Sequence, residues 1–135
     1  MDDKINHNPL EELFTDASGH LEPSELLALL KPYIGINREK HTIVYTPEGL
    51  ALNASKKIIL LLLGKKALKL LSVSENEAIS PKEMKDEFGR NMPSGTIDST
   101  LKRLFDQGYI QAEKGQYFVP DFIFPKIKEF IYGKK

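Results

Sequence analysis

The chain has 135 residues, 41% hydrophobic and 28% charged, which fits one globular domain, or one small domain with an extension, and excludes a disordered chain. It has no cysteine, which excludes disulfides, thiolate zinc sites and a cysteine nucleophile and fits a reducing cytoplasm. Net charge is zero but unevenly placed: residues 1–52 hold four bases and nine acids, net −5, and residues 53–135 hold fifteen bases and ten acids, net +5.

A polyanion would be drawn to the second part only, unless the two parts simply complement each other. The opening Met1-Asp2-Asp3-Lys4 lacks the basic-then-apolar layout of a signal peptide. About Pro9 to Phe14 reads as a short helical turn or a loose arm. A clearer helix follows, with Pro23 in a first-turn position, Glu25 nearby, and Leu26, Leu27, Leu29 and Leu30 as an apolar stripe ending near Pro32. Tyr33-Ile34-Gly35-Ile36 and Thr42-Ile43-Val44-Tyr45 are β-branched and aromatic runs around polar Asn37-Arg38-Glu39-Lys40, which predicts a hairpin. Thr46-Pro47-Glu48-Gly49 then breaks the strand.

From Asn53 or Ser55 to about Leu71 runs the longest predicted helix. Its apolar positions, 58–63, 67, 68, 70 and 71, predict burial on most sides. The apolar run Ile58–Leu63 lies between lysine pairs and is far shorter than the about twenty residues of a membrane span. No membrane association is expected. Ile79 reads as a short extended piece. Ser80-Pro81-Lys82-Glu83 is a capping box that starts a short helix, with Met84 and Phe88 on one face and Gly89 as its left-handed stop. After the turn Arg90-Asn91-Met92-Pro93, Ser94 caps a third helix in which Ile97, Leu101, Leu104 and Phe105 form the inward stripe and Gly108 ends the run. Tyr109–Ala112 and Gln116–Val119 around Glu113-Lys114-Gly115 predict a tight hairpin, and a last amphipathic helix starts near Pro125 with Ile127, Phe130 and Ile131.

Long helix, short strand, short helix, turn, helix, hairpin is the order of a winged helix-turn-helix. The stretch Gly95-Thr96-Ile97-Asp98-Ser99-Thr100-Leu101-Lys102-Arg103-Leu104-Phe105-Asp106-Gln107-Gly108-Tyr109-Ile110 closely resembles recognition helices of winged-helix transcriptional regulators. Those commonly read Gly-Thr-Val, then Leu-x-x-Leu, then Gly-Leu-Ile or Gly-Tyr-Ile. The resemblance covers roughly residues 55–120 and does not extend to the N-terminal segment. It implies that the third helix enters a DNA major groove and that the 109–119 hairpin is a short wing.

Beside the resemblance, the residues give their own reading. With Ile97, Leu101 and Leu104 inward, Ser94, Thr96, Asp98, Ser99, Lys102 and Arg103 fall outward. The helix N-terminus offers N–H groups and positive partial charge to a phosphate, and short Ser and Thr side chains permit close approach. Lys102 and Arg103 are placed to reach phosphate or a guanine edge. Asp98 repels phosphate unless it accepts from a cytosine amino group. Lys114 is the wing's only cation, with Glu113 beside it. Lys56, Lys57, Lys65, Lys66 and Lys69 read as solubilising an apolar helix rather than as a phosphate strip. Tyr109, Tyr117 and Phe118 read as core. His7, His20 and His41 lack metal-ligand spacing, and no nucleophile, paired-carboxylate or phosphate-loop pattern occurs, so neither metal, cofactor nor catalysis is expected.

The expected fold class is α+β, mostly helical: a winged helix-turn-helix at 53–135 with its C-terminal helix, and an acidic helix-plus-hairpin extension at 1–52. The expected function is double-stranded DNA binding in transcription regulation, as a cytoplasmic homodimer. The alternative is a winged-helix protein-interaction module without DNA binding, in which the N-terminal extension meets a protein partner.

Overall fold

The computed structural model describes residues 21–133, so the Pro9–Phe14 expectation lies outside it. Helix α1 (Pro23–Leu30) starts where the fixed φ of proline suits the first helical position. It buries Leu26, Leu29 and Leu30 but leaves Leu27 exposed, against expectation. Leu27 lies about 100° round the helix from Leu26, too far to share its face.

Strands β1 (Ile34–Ile36) and β2 (Ile43–Tyr45) pair antiparallel, with Ile34 opposite Tyr45 and Ile36 opposite Ile43. Asn37 holds the turn between them, its side-chain oxygen accepting from the Glu39 and Lys40 amides. A short helix that the sequence reading lacked, α2 (Pro47–Leu50), follows at once. The Thr46 hydroxyl accepts from the Gly49 amide and shares its proton between the Pro32 and Tyr33 carbonyls. A Cβ on Gly49 would stand 2.2 Å from the Tyr33 carbonyl oxygen, so only glycine lets α2 close against the hairpin.

Helix α3 (Ala54–Leu70) begins at Asn53, whose side chain accepts from the Lys56 amide. Every residue from Ile58 to Leu63 is at most 1% exposed, so the helix is enclosed all round. At Gly64 a Cβ would come 2.6 Å from Ile43 Cδ1 and 3.2 Å from Ile34 Cδ1. The missing side chain is the seat for the two hairpin isoleucines. Residues 21–52 therefore contribute to the same core as the rest.

Beyond α3, Ile79 exchanges backbone hydrogen bonds of 3.0 and 2.9 Å with Tyr117. Helix α4 (Pro81–Phe88) starts at the expected capping box, Ser80 Oγ accepting from the Glu83 amide and Glu83 Oε1 from the Ser80 amide. It buries Met84 and Phe88 and stops at Gly89, whose φ of 56° suits a residue without Cβ. Helix α5 (Ser94–Asp106) follows a single 3₁₀ turn. Pro93 takes the cap position without a side-chain bond, so Ser94 is the first helical residue rather than the expected cap.

The inner face of α5 buries Ile97, Thr100, Leu101 and Leu104, and α5 packs on α3. Phe105, expected inward, is 48% exposed and meets Tyr117 edge-on, with 6.4 Å between ring centroids. One residue past Leu104, it is turned towards the second hairpin instead of the core. That hairpin, β3 (Gln111–Glu113) and β4 (Gln116–Phe118), closes through Lys114 and Gly115 at φ 55° and 79°. A two-residue turn with both φ values positive matches the natural twist of the strands. A 3₁₀ turn then leads into α6 (Phe124–Tyr132), which buries Phe124, Ile127 and Ile131. The described residues are thus α+β and mostly helical, with two separate two-stranded sheets. No described helix is long and apolar enough to cross a membrane.

Candidate functional site

Helix α5 is held from behind and open in front. Its inner residues lock it against α3, while Ser94, Asp98, Ser99, Lys102 and Arg103 are exposed and Thr96 is half-buried. Lys114 is exposed at the tip of the β3–β4 turn. Thr100, buried on the inner face, is a polar residue in a place that periodicity alone reserves for apolar ones.

The electrostatics of this face differ from the sequence expectation. Asp98 pairs with Lys85 of α4, with 2.9 Å between Oδ1 and Nζ. Its charge is therefore largely balanced, and the pair ties α4 to α5. The Ser99 hydroxyl donates to the Thr96 carbonyl at 3.2 Å, a bond made within the helix. Lys102 pairs with Asp106 one turn on, at 3.2 Å. Both side chains are exposed, so the pair is worth little and can exchange for another anion.

Arg103 is exposed, as its place off the stripe predicts, but it also has a partner within the chain. Its Nη2 donates to Ser55 Oγ in the first turn of α3, at 2.9 Å, and so braces α5 against α3. Among the cations of α4, the turn before α5 and the β3–β4 hairpin, Lys82, Arg90 and Lys114 have no ion pair or side-chain hydrogen bond among the described residues. All three are exposed. The sequence reading assigned no role to Lys82 or Arg90. Their signal was position: one sits at the start of α4 and the other in the turn before α5.

The α3 lysines divide. Lys65 pairs with Glu87 at 2.6 Å. Lys66, only 3% exposed, pairs with Glu77 at 2.6 Å and with Asp121. The solubilising reading fails for Lys66, which instead gathers three chain segments at one ammonium. Nearby, the Tyr45 hydroxyl donates to the Lys57 carbonyl at 2.6 Å. Burial, and then the charge of Glu87, push its phenol well above the ordinary range.

Among the described residues, no group of three or more His, Asp or Glu side chains is placed to hold a metal ion. His41 is exposed in the first hairpin turn, and His7 and His20 lie outside the described residues. Tyr109 packs against Phe130, with ring centroids 4.6 Å apart. What the geometry offers chemically is a helix face of small hydroxyl side chains, with three uncommitted cations on the neighbouring segments. No known protein family, no curated protein and no solved structure matches the chain.

Proposed function

We propose that this chain is a winged-helix DNA-binding protein that lays α5 in the major groove and sets the β3–β4 hairpin, as a short wing, beside the backbone. One observation carries the reading. Helix α5 is fixed by its inner face and leaves its outer face to solvent, at the end of a helix-turn-helix that runs directly into a hairpin. The Ile79–Tyr117 bridge adds support, because it joins the segment before α4 to the wing.

In this reading Ser94, Thr96 and Ser99 allow close approach, and the unbonded amides of the first turn of α5 meet a phosphate. Arg90, Lys82 and Lys114 make backbone contacts, which position the protein without reading sequence. Lys102 exchanges Asp106 for a phosphate or a base edge, and Asp98 stays paired with Lys85. Arg103 acts by bracing α5. The protein is then a cytoplasmic transcription regulator without catalytic activity. It works as a homodimer, because two half-sites multiply affinity.

The test is a fluorescence-anisotropy salt titration on random duplex DNA. Binding at low salt is expected, with log affinity falling linearly against log salt concentration. Arg90→Ala and Lys114→Ala each flatten that slope by about one unit. No binding at low salt would overturn the reading. A monomer by sedimentation at about 10 μM would remove the dimer alone.

A second reading, protein docking through the same fold, is favoured by a specific observation. Arg103 and Lys102 both have intramolecular partners, while Phe105 stands largely exposed beside the wing. That reading predicts no DNA affinity at physiological salt and no response to Arg90→Ala or Lys114→Ala.

A further inference from the structure

Away from the outer face of α5, an open groove of about 1180 Å³ is lined by the start of α3, the exit from α5 and helix α6. Its volume lies somewhat above the range of about 300–1,000 Å³ usual for small-molecule clefts, as fits an open groove. Aromatic rings and lysines line it together. Tyr109 and Phe130 lie with centroids 4.6 Å apart and planes tilted by 34°, and Tyr132 lines the groove as well. Lys126 Nζ stands 4.6 Å from the Tyr109 centroid, and Lys56 Nζ stands 5.9 Å from that of Phe130. Lys128 lines the groove without an ion pair or hydrogen bond among the described residues.

None of these three ammonium groups is in an ion pair among the described residues. Each lysine has three donors, and Lys126 uses one of them on the Gln107 carbonyl at 2.9 Å. When its anionic group draws Lys126 off the Tyr109 ring, a ligand ring can stack offset on the Tyr109–Phe130 pair in its place. We propose that this groove binds a small aromatic anion, up to the size of a nucleotide, with the ring on Tyr109 and Phe130 and the anionic group on Lys126 and Lys128.

Glu25 and Glu129 also line the groove, so its five charged side chains sum to +1. That favours one compact anionic group over a polyanion. The site also touches the joint between α5 and the wing. Lys126 holds the carbonyl of Gln107, the residue that caps the end of α5, and Gly108 turns the chain at φ 84°. An anion that draws Lys126 away releases that carbonyl and gives the ligand a path to the setting of α5.

The proposal goes beyond DNA binding and does not depend on it, so its test contains no DNA. Amide NMR spectra of the full chain are titrated with benzoate and with adenosine monophosphate. Benzamide and adenosine serve as neutral counterparts, and acetate as an anion without a ring. Saturable shifts at Gln107, Tyr109 and Phe130 are expected at about 1 mM or below. The neutral compounds and acetate should respond at least several-fold more weakly. The stronger of the two probes tells whether the natural ligand is nucleotide-like or an aromatic acid, and either outcome supports the site.

Lys126→Gln with Lys128→Gln should weaken binding about tenfold, and both side chains are exposed, so the fold is retained. Glu129→Gln should tighten it by removing a repelling charge. No saturable shift at these amides with either probe would overturn the proposal. So would equal responses to benzamide and benzoate, or Glu129→Gln without tightening.

Discussion

Lys66→Met keeps the apolar stem of the side chain and removes the ammonium at which α3, the connection to α4 and the stretch after β4 meet. Glu77 and Asp121 would then face each other across a mostly dry site without a cation. Breaking a buried ion pair from one side costs about 3–5 kcal/mol. Asp121 is 27% exposed and Glu77 17%, so water reaches part of the site, and we expect the lower end, about 3 kcal/mol. In a chain of this length that is on the order of 10 °C in Tm. Urea denaturation followed by far-UV circular dichroism should give a lower midpoint with an unchanged m-value. Adding Glu77→Gln and Asp121→Asn removes the uncompensated charge and should restore much of the loss. A Lys66→Met midpoint within about 0.5 kcal/mol of wild type would refute the reasoning. A triple variant as unstable as the single one would refute it equally.

Leu101→Ala should cost about 2–5 kcal/mol, because it opens a cavity between α3 and α5; a change of a few tenths in the same denaturation would mean that the α5 stripe faces elsewhere. Tyr45 carries a pH prediction. Its folded pKa is raised by burial and by Glu87, so the stability this brings is whole below the unfolded phenol value of about 10 and is lost as pH rises above it. Tyr45 should therefore ionise only as the protein unfolds; complete ionisation of all five tyrosines, read by ultraviolet difference spectroscopy while the circular dichroism is still native, would contradict this. Asp98→Asn releases Lys85 and should strengthen binding to random duplex DNA while steepening its salt dependence by about one unit. Weaker binding confined to a preferred sequence would instead make Asp98 a base-reading group.

Much of the local structure was legible in the residues, because its causes lie within a few positions. The Ser80–Glu83 capping box forms as written, and so do the Gly89 stop, the i, i+4, i+7 stripe of Ile97, Leu101 and Leu104, and the tight turn at Lys114-Gly115. The enclosure of α3 also followed from its unbroken apolar run. Where a local signal was ambiguous by one residue, the docking of helices decided. Phe105 and Leu27 each stand next to a stripe residue, and both turned out of the core.

The candidate site was legible only in outline. Which residues of α5 face solvent could be read from periodicity, but not what their charges meet there. Arg103 finds Ser55 across 48 positions, Lys66 finds Asp121 across 55, and Asp98 finds Lys85 on another helix. The aromatic groove likewise draws its lining from α1, α3, α6 and the exit from α5, segments far apart in the chain. Periodicity and capping act along the backbone and set which elements form and which face each buries. The partners of a long charged side chain depend on where other helices bring their own polar groups. That was decided by the packing around α3, where Gly64 admits the first hairpin and so joins residues 21–52 to the common core.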